Sequence, residues 1–270
     1  MSIDRIPAVL SIAGSDSGGG AGIQADLKAF ARVGVHGMTA ITAITAQNTL
    51  GVKAIQSISP EIIDEQVRAV AEDIGVDAVK IGMLGTAETV EAVVEALRYV
   101  GEAPVVIDPV MIAESGAQLL DEDARSALAE KLLPLATVVT PNIPEARALT
   151  GLGEGASQAV LAQALVGMGT RAAVVTGGHS EEIVDLFCDE ESIVEIPGER
   201  HPDGAAHGSG CTHSSSLAAL LALGRSPLEA AEGAREITSE AVRYGLRDVG
   251  SGAGPVDVFG LAGKHSKAPS

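Results

Sequence analysis

The chain contains the run His207-Gly208-Ser209-Gly210-Cys211-Thr212, followed by an apolar stretch from Ser216 to Leu223. Glycines let a backbone approach a ligand closely, and the free amides of a helix start favour anions. A thiol at such a start tends toward a lowered pKa. An ordinary loop-to-helix junction, with Cys211 as a small buried hydrophobe, fits the same residues. Two carboxylates stand in comparable settings, Asp108 in Asp108-Pro109-Val110-Met111 and Glu145 in Thr140-Pro141-Asn142-Ile143-Pro144-Glu145. An acid pair with glycine-rich turns suits phosphoryl transfer, which is mostly positioning and charge neutralisation with Mg²⁺ bridging phosphate oxygens. Magnesium keeps several waters and takes one or two protein carboxylates, which Asp108 and Glu145 could supply directly or through water.

These residues need a scaffold, and the hydrophobic pattern describes one. Ala8–Ala13 reads as a buried strand running into the loop from Gly14 to Gly22 and then a helix to Val33. Further strands are expected at 38–46, 52–58, 77–81, 104–107, 137–139, 172–175, 183–187 and 192–196, the last two spaced as a hairpin. Helices are expected at 60–74, 86–99, 122–132, 143–150, 158–168, 214–223 and 228–244. Strands alternating with helices predict an α/β fold, with a mostly parallel sheet covered by helices on both faces. No linker or repeat divides the chain, so residues 1–270 read as one domain whose last ten residues fray.

Ligands of open α/β sheets bind beyond the carboxyl ends of the strands. There the chain places the glycine loop after Ala13, then Gln47 and Asn48, Gly82 and Met83, Asp108 to Met111, Thr140 to Glu145, and Thr176 to His179. Each residue also has a plainer reading. Asp108 suits a turn, Asn142 a helix cap, Glu145 a first-turn charge, Gln47 a strand-end amide and Asp26 a solvated helix face. His179 and His207 read as structural, because no second ligand stands at metal-binding spacing. The loop from Gly14 to Gly22 resembles an anion-binding turn but lacks the Gly-Lys-Ser/Thr of a P-loop.

Composition narrows the field. Hydrophobic residues make up 46% of the chain, but aromatics only 2%, so the core is built from Ala, Val, Ile and Leu. A chain of 270 residues buries about 70–75% of its unfolded surface. Thirty-six acidic residues against 18 basic ones give a formal charge of −18, which excludes nucleic acid as a partner. Six lysines against twelve arginines, on a dispersed acidic surface, resemble proteins of a salt-rich cytoplasm. Two cysteines form no disulfide framework, and no leader or membrane-length apolar run is seen, so the expected location is cytoplasmic.

The glycine loop from Ala13 through Asp26, Thr45-Ala46-Gln47-Asn48-Thr49, Lys80-Ile81-Gly82-Met83-Leu84, the two acidic motifs and the Cys211 turn together resemble the hydroxymethylpyrimidine and phosphomethylpyrimidine kinases of thiamine biosynthesis. The match runs from about residue 7 to residue 245. The resemblance implies a ribokinase-like fold, a homodimer, and two ATP-dependent steps, on 4-amino-5-hydroxymethyl-2-methylpyrimidine and then on its monophosphate. It implies that Gln47, Asp26, Gly14, Met83 and Val110 take the small-molecule substrate, and that Asn142, Thr176 and Gly178 meet the nucleotide. By the same resemblance Asp108 and Glu145 serve Mg²⁺, Gly208, Ser209 and Gly210 form an anion hole, and Cys211 is catalytic. Sugar kinases of the same superfamily carry aspartate at that last position.

Three residues depart from the family pattern: Thr176 and Glu114 replace usual lysines, and His213 replaces an apolar or small residue. Both lost lysines fit the chain-wide lysine depletion. Alternative readings are a pyridoxal or pyridoxine kinase on the same fold, and a non-catalytic relative that binds the pyrimidine without turnover. The acidic surface carries its own prediction. Thermal melts across salt concentrations are expected to show stability rising with salt, and greatest stability at low salt would overturn the salt-adapted reading.

Overall fold

The computed structural model describes residues 5–112, 116, 118–178, 183–202 and 204–265. Its strands are β1 (Ala8–Asp16), β2 (His36–Asn48), β3 (Gly51–Ser57), β4 (Ala78–Ile81), β5 (Val105–Ile107), β6 (Val138–Val139), β7 (Ala172–Val175), β8 (Val184–Asp189) and β9 (Ile193–Pro197). Helices are α1 (Gly22–Val33), α2 (Pro60–Asp73), α3 (Ala87–Ala96), α4 (Glu122–Ala127), α5 (Ile143–Thr150), α6 (Gln158–Gly167), α7 (Ser209–Ala222), α8 (Pro227–Arg243) and α9 (Leu261–His265). One sheet holds all nine strands in the order β3-β2-β1-β4-β5-β6-β7-β8-β9. The run from β2 to β7 is parallel, while β3, β8 and β9 pair antiparallel at the two edges.

Burial explains this arrangement. β4, β5, β6 and β7 are buried at every position, as strands covered on both faces must be. Alternate residues of β1 feed two cores. Ala8, Leu10 and Ile12 pack toward the side bearing α2 to α6, and Val9 toward the side bearing α1, α7 and α8. The chain leaves β1 for β2 and β3 on one side, then returns to β4 on the other. That reversal opens a crevice at the carboxyl ends of β1 and β4. Among the described residues no helix is long and apolar enough to cross a membrane.

Several boundaries differ from expectation. β1 continues through Gly14 to Asp16, with a register shift against β2 between Ala13 and Ser15, so the first third of the expected loop is strand. The expected helix over 122–132 is α4 followed by a wide turn over 128–132 and a tight one over 133–135, where Pro134 has no N–H to continue the ladder. α7 begins at Ser209, five residues before the expected start. The first turn of a helix needs no internal amide bonds, so Ser209 and Gly210 enter it despite poor helix propensity. Of the last ten residues, 261–265 form α9, whose Leu261 and Ala262 amides each donate to the Asp257 carboxylate at 2.9 Å, and 266–270 lie outside the described residues.

Gly208 caps α7 in the left-handed region, at φ 83° and ψ 9°. A Cβ there would stand 1.8 Å from the carbonyl oxygen of Gly20, so the turn before α7 lies directly on the loop before α1. Gly34 caps α1 in the same region, but a Cβ there meets nothing within 4 Å. Gly34→Ala is therefore expected to cost about 1–2 kcal/mol from backbone conformation alone. Gly208→Ala is expected to cost distinctly more, read from urea unfolding. Equal losses would contradict the close approach of the two loops.

Candidate active site

Asp16 ends β1, and its carboxylate accepts the amides of Gly18 at 2.8 Å, Gly20 at 3.0 Å and Ala21 at 2.9 Å. Burial raises its pKa, but His207 and these three amides outweigh that and hold it below the ordinary carboxylate value. Nε2 of His207 stands 3.4 Å from the same carboxylate, tying the loop before α1 to the turn before α7. The amides of 18, 20 and 21, which suggested an anion site, are therefore engaged by the chain's own Asp16. His207 is structural in this sense, as expected.

A cavity of about 370 Å³ runs along the carboxyl ends of the strands. Gly14, Gln47, Met83, Val110, Asp108, Asn142, Glu145, Thr176, Gly178, Gly208, Ser209, Gly210 and Cys211 all line it. At the β1–β2 end, Gly14 and Gln47 each sit beside a register shift, and such bulges re-aim side chains at sheet rims. A Cβ on Gly14 would fall 2.4 Å from Cε of Met83, so glycine here lets the end of the Met83 side chain lie against β1. Thr42 donates to the Met83 carbonyl at 2.8 Å and holds the turn after β4.

Asp26, expected among the substrate residues, is not in the cavity wall. It is 0% exposed. It accepts Ser11 Oγ at 2.6 Å, Ser215 Oγ at 2.7 Å and Lys80 Nζ at 2.9 Å. The face of α1 carrying Ile23, Ala25, Asp26, Ala29 and Phe30 is turned into the protein, so neither substrate binding nor a solvated helix face describes Asp26. Its partner Lys80 is the residue that reaches the cavity. A lysine inside the apolar strand Ala78–Ile81 was the signal, because a buried charge demands a counter-charge.

The middle of the cavity is formed by the start of α7 facing the end of β5. Asp108 accepts Ser214 Oγ at 3.0 Å, and a Cβ on Gly210 would stand 3.8 Å from Oδ2 of Asp108. Burial raises the Asp108 pKa against the pull of Lys80 and Ser214, with Asp26 adding to the rise. Burial likewise pushes the Cys211 thiol up to about 12, Lys80 opposing and Asp26 and Asp108 reinforcing. The lowered thiol pKa expected of a helix start is therefore overturned: burial and two nearby carboxylates outweigh Lys80 and the Gly22 amide, and the thiol is the favoured form at neutral pH.

Beyond β5, Asn142 caps α5. Its side chain accepts the Glu145 amide at 2.9 Å, and the Glu145 carboxylate accepts the Asn142 amide at 2.9 Å. The plain capping readings of both residues are thus correct, and both side chains also face the cavity. Burial and then Asp108 raise the Glu145 pKa to about 8, with the Asn142 and Met111 amides opposing. Asn142 bridges to Thr176 on the extension of β7, and the Gly177 amide donates to Asp185 at 2.9 Å. Glu114 and His179 lie outside the described residues.

The far end, between β8 and α8, was not read from the sequence. Arg235 stands 3.4 Å from Asp185, and Nε2 of His213 stands 3.8 Å from it, beyond hydrogen-bond reach. His213 is 4% exposed and neither ring nitrogen has a hydrogen-bond partner. Burial lowers its pKa, Asp185 opposing and Arg235 adding, so the ring is neutral. Only the oddity of a histidine at position 213 hinted at this cluster, whose members are far apart in the chain.

Comparison with known proteins matches the phosphomethylpyrimidine kinase family over residues 16–257. A hydroxymethylpyrimidine/phosphomethylpyrimidine kinase of Rhizobium meliloti (strain 1021) is 49% identical, over 93% of this chain and 96% of that one. A phosphomethylpyrimidine kinase of Clostridium difficile 630 superposes with a TM-score of 0.78 at 39% identity, over 88% of this chain and all of that one. A Bacillus subtilis pyridoxal kinase in an ADP complex superposes with a TM-score of 0.87 at 36% identity, over 96% of this chain and 99% of that one. With a cleft of this shape on a sheet of this order, the chain belongs to the phosphomethylpyrimidine kinase family.

Proposed function

We propose that this protein transfers the γ-phosphoryl group of ATP to the hydroxymethyl oxygen of 4-amino-5-hydroxymethyl-2-methylpyrimidine, and then to the phosphate of the resulting monophosphate, within thiamine biosynthesis. The observation that carries this reading is the continuous cavity spanning the strand ends, with the start of α7 at its centre. Gln47, Gly14, Met83 and Val110 hold the pyrimidine at the β1–β4 end. Asn142, Thr176 and Gly178 meet the nucleotide at the other. The turn of Gly208, Ser209 and Gly210 faces the transferring group; the Ser209 amide is taken by the Ala206 carbonyl at 2.9 Å, so the anion hole falls to the amides of Gly208 and Gly210, where preorganised donors contribute most because water is excluded.

Cys211 acts as a positioned thiol and not as a resident base, since its sulfur stays protonated. A loose phosphoryl-transfer transition state leaves the alcohol proton in place until late, which lowers the demand for a strong base. Asp108 is buried and Glu145 half-buried, and Asp108 disfavours charge on Glu145, a donor set suited to a divalent cation. They would hold Mg²⁺, whose positive charge would neutralise phosphate oxygens. The chain acts as a homodimer in a salt-rich cytoplasm.

A second reading has its own support. The similar pyridoxal kinases include a Staphylococcus aureus enzyme solved with pyridoxal, another aromatic alcohol. ATP consumption measured separately with the pyrimidine alcohol, its monophosphate and pyridoxal separates the readings. Turnover with both pyrimidines is expected. Pyridoxal alone would promote the second reading, and no turnover with any acceptor would leave a non-catalytic binding protein. Cys211→Ala is expected to lose most turnover while melting near the parent temperature. Near-parental activity would return Cys211 to a packing role.

A further inference from the structure

Lys80 has no assigned part in the reaction, yet it is a wholly buried cation on the wall of the cavity. It is the third residue of β4, at the crevice where the sheet order reverses. Its ammonium donates to Asp26 Oδ1 at 2.9 Å, and both side chains are 0% exposed. Asp26 is further held by Ser11 of β1 and Ser215 of α7. The pair is oriented, because Lys80 borders the cavity whereas Asp26 sits behind it. The turn after β4 closes over the ammonium, since a Cβ on Gly82 would stand 2.8 Å from Nζ.

An ion pair with no outward direction would leave the cavity neutral. This one presents its positive end. Lys80 acts more strongly than Asp26 on both Cys211 and Asp108, as the oriented geometry requires. The cavity already holds two acids, and phosphoryl transfer brings further negative charge onto oxygens there. A second transfer, onto a monophosphate, adds still more at the acceptor end.

We infer that Lys80, aimed by Asp26, is a positioning residue for phosphoryl transfer, setting a positive field beneath Asp108 and Cys211 without itself touching the substrate. This rests on the kinase reading above. An interaction that stabilises charge formed only during reaction alters kcat more than KM.

The test removes both charges together, so that neither is left unpaired. Lys80→Met/Asp26→Leu is expected to melt cooperatively, keep KM for the pyrimidine within about threefold and lose kcat by about 100-fold, the scale of one preorganised electrostatic group. A folded double variant with near-parental kcat would overturn the inference and reduce the pair to structural glue. The parent enzyme supplies an independent reading that needs no variant to fold. With ¹⁵N-lysine labelling, the buried ammonium resonance of Lys80 is expected to shift when pyrimidine alcohol, MgADP and aluminium fluoride are added together. A resonance unmoved by that mixture would equally overturn it. An inactive parent would remove the kinase reading itself, whereas an active parent with an equally active double variant would sink only the role of Lys80.

Discussion

The buried pair of Lys80 and Asp26 is the constraint around which the site is assembled. It joins β4 to α1 directly, and through Ser11 and Ser215 it reaches β1 and α7. Four elements are thereby registered at one point below the cavity floor. Removing one member of such a pair costs about 3–5 kcal/mol, because a buried charge is left uncompensated. The hydroxyls of Ser11 and Ser215 occupy the remaining carboxylate positions, and this completeness makes the buried charge tolerable. Because α1 and α7 are docked on the same face of the sheet, Gly208 can rest on the Gly20 carbonyl and His207 can approach Asp16.

The cleft resolves a conflict of sign. A chain with a formal charge of −18 must draw in a polyanionic nucleotide and, in the second transfer, a phosphorylated acceptor. Bulk charge works against this, so the attraction has to be local. Lys80 is a buried cation below the acceptor end whose carboxylate partner lies behind it, and Arg235 stands at the far end beside Asp185, which shares the cavity wall with it. The α7 amides stand between them. Low exposure strengthens each of these groups relative to its value in water, and high salt screens the outer surface without weakening the interior.

Much of the scaffold was legible from residue pattern. α5 and β7 fall at the expected bounds, α5 because Asn142, Pro144 and Glu145 mark a helix start and β7 because Ala172–Val175 is a continuous apolar run. The cavity wall was legible too, since thirteen of the fourteen residues singled out line it. Two failures share a cause. Asp26 and the Cys211 thiol were judged by local rules and are decided by groups distant in sequence, Lys80 lying 54 positions from Asp26. The amides of 18, 20 and 21 are instead occupied locally, by Asp16 just before them. No spacing rule joins Asp185, His213 and Arg235, which only the packing of α7 and α8 against β8 brings together.

On the proposed function, one cleft holds acceptor and donor at opposite ends of the strand edge, meeting at the start of α7. A crystal structure with the pyrimidine alcohol and a non-hydrolysable ATP analogue tests it most directly. The pyrimidine ring is predicted against Met83 and Gln47, with its hydroxymethyl oxygen toward the Gly210 and Cys211 turn and the base of the nucleotide beyond β7. A pyrimidine bound at the β8–α8 end, or a γ-phosphate out of reach of the α7 amides, would contradict the account.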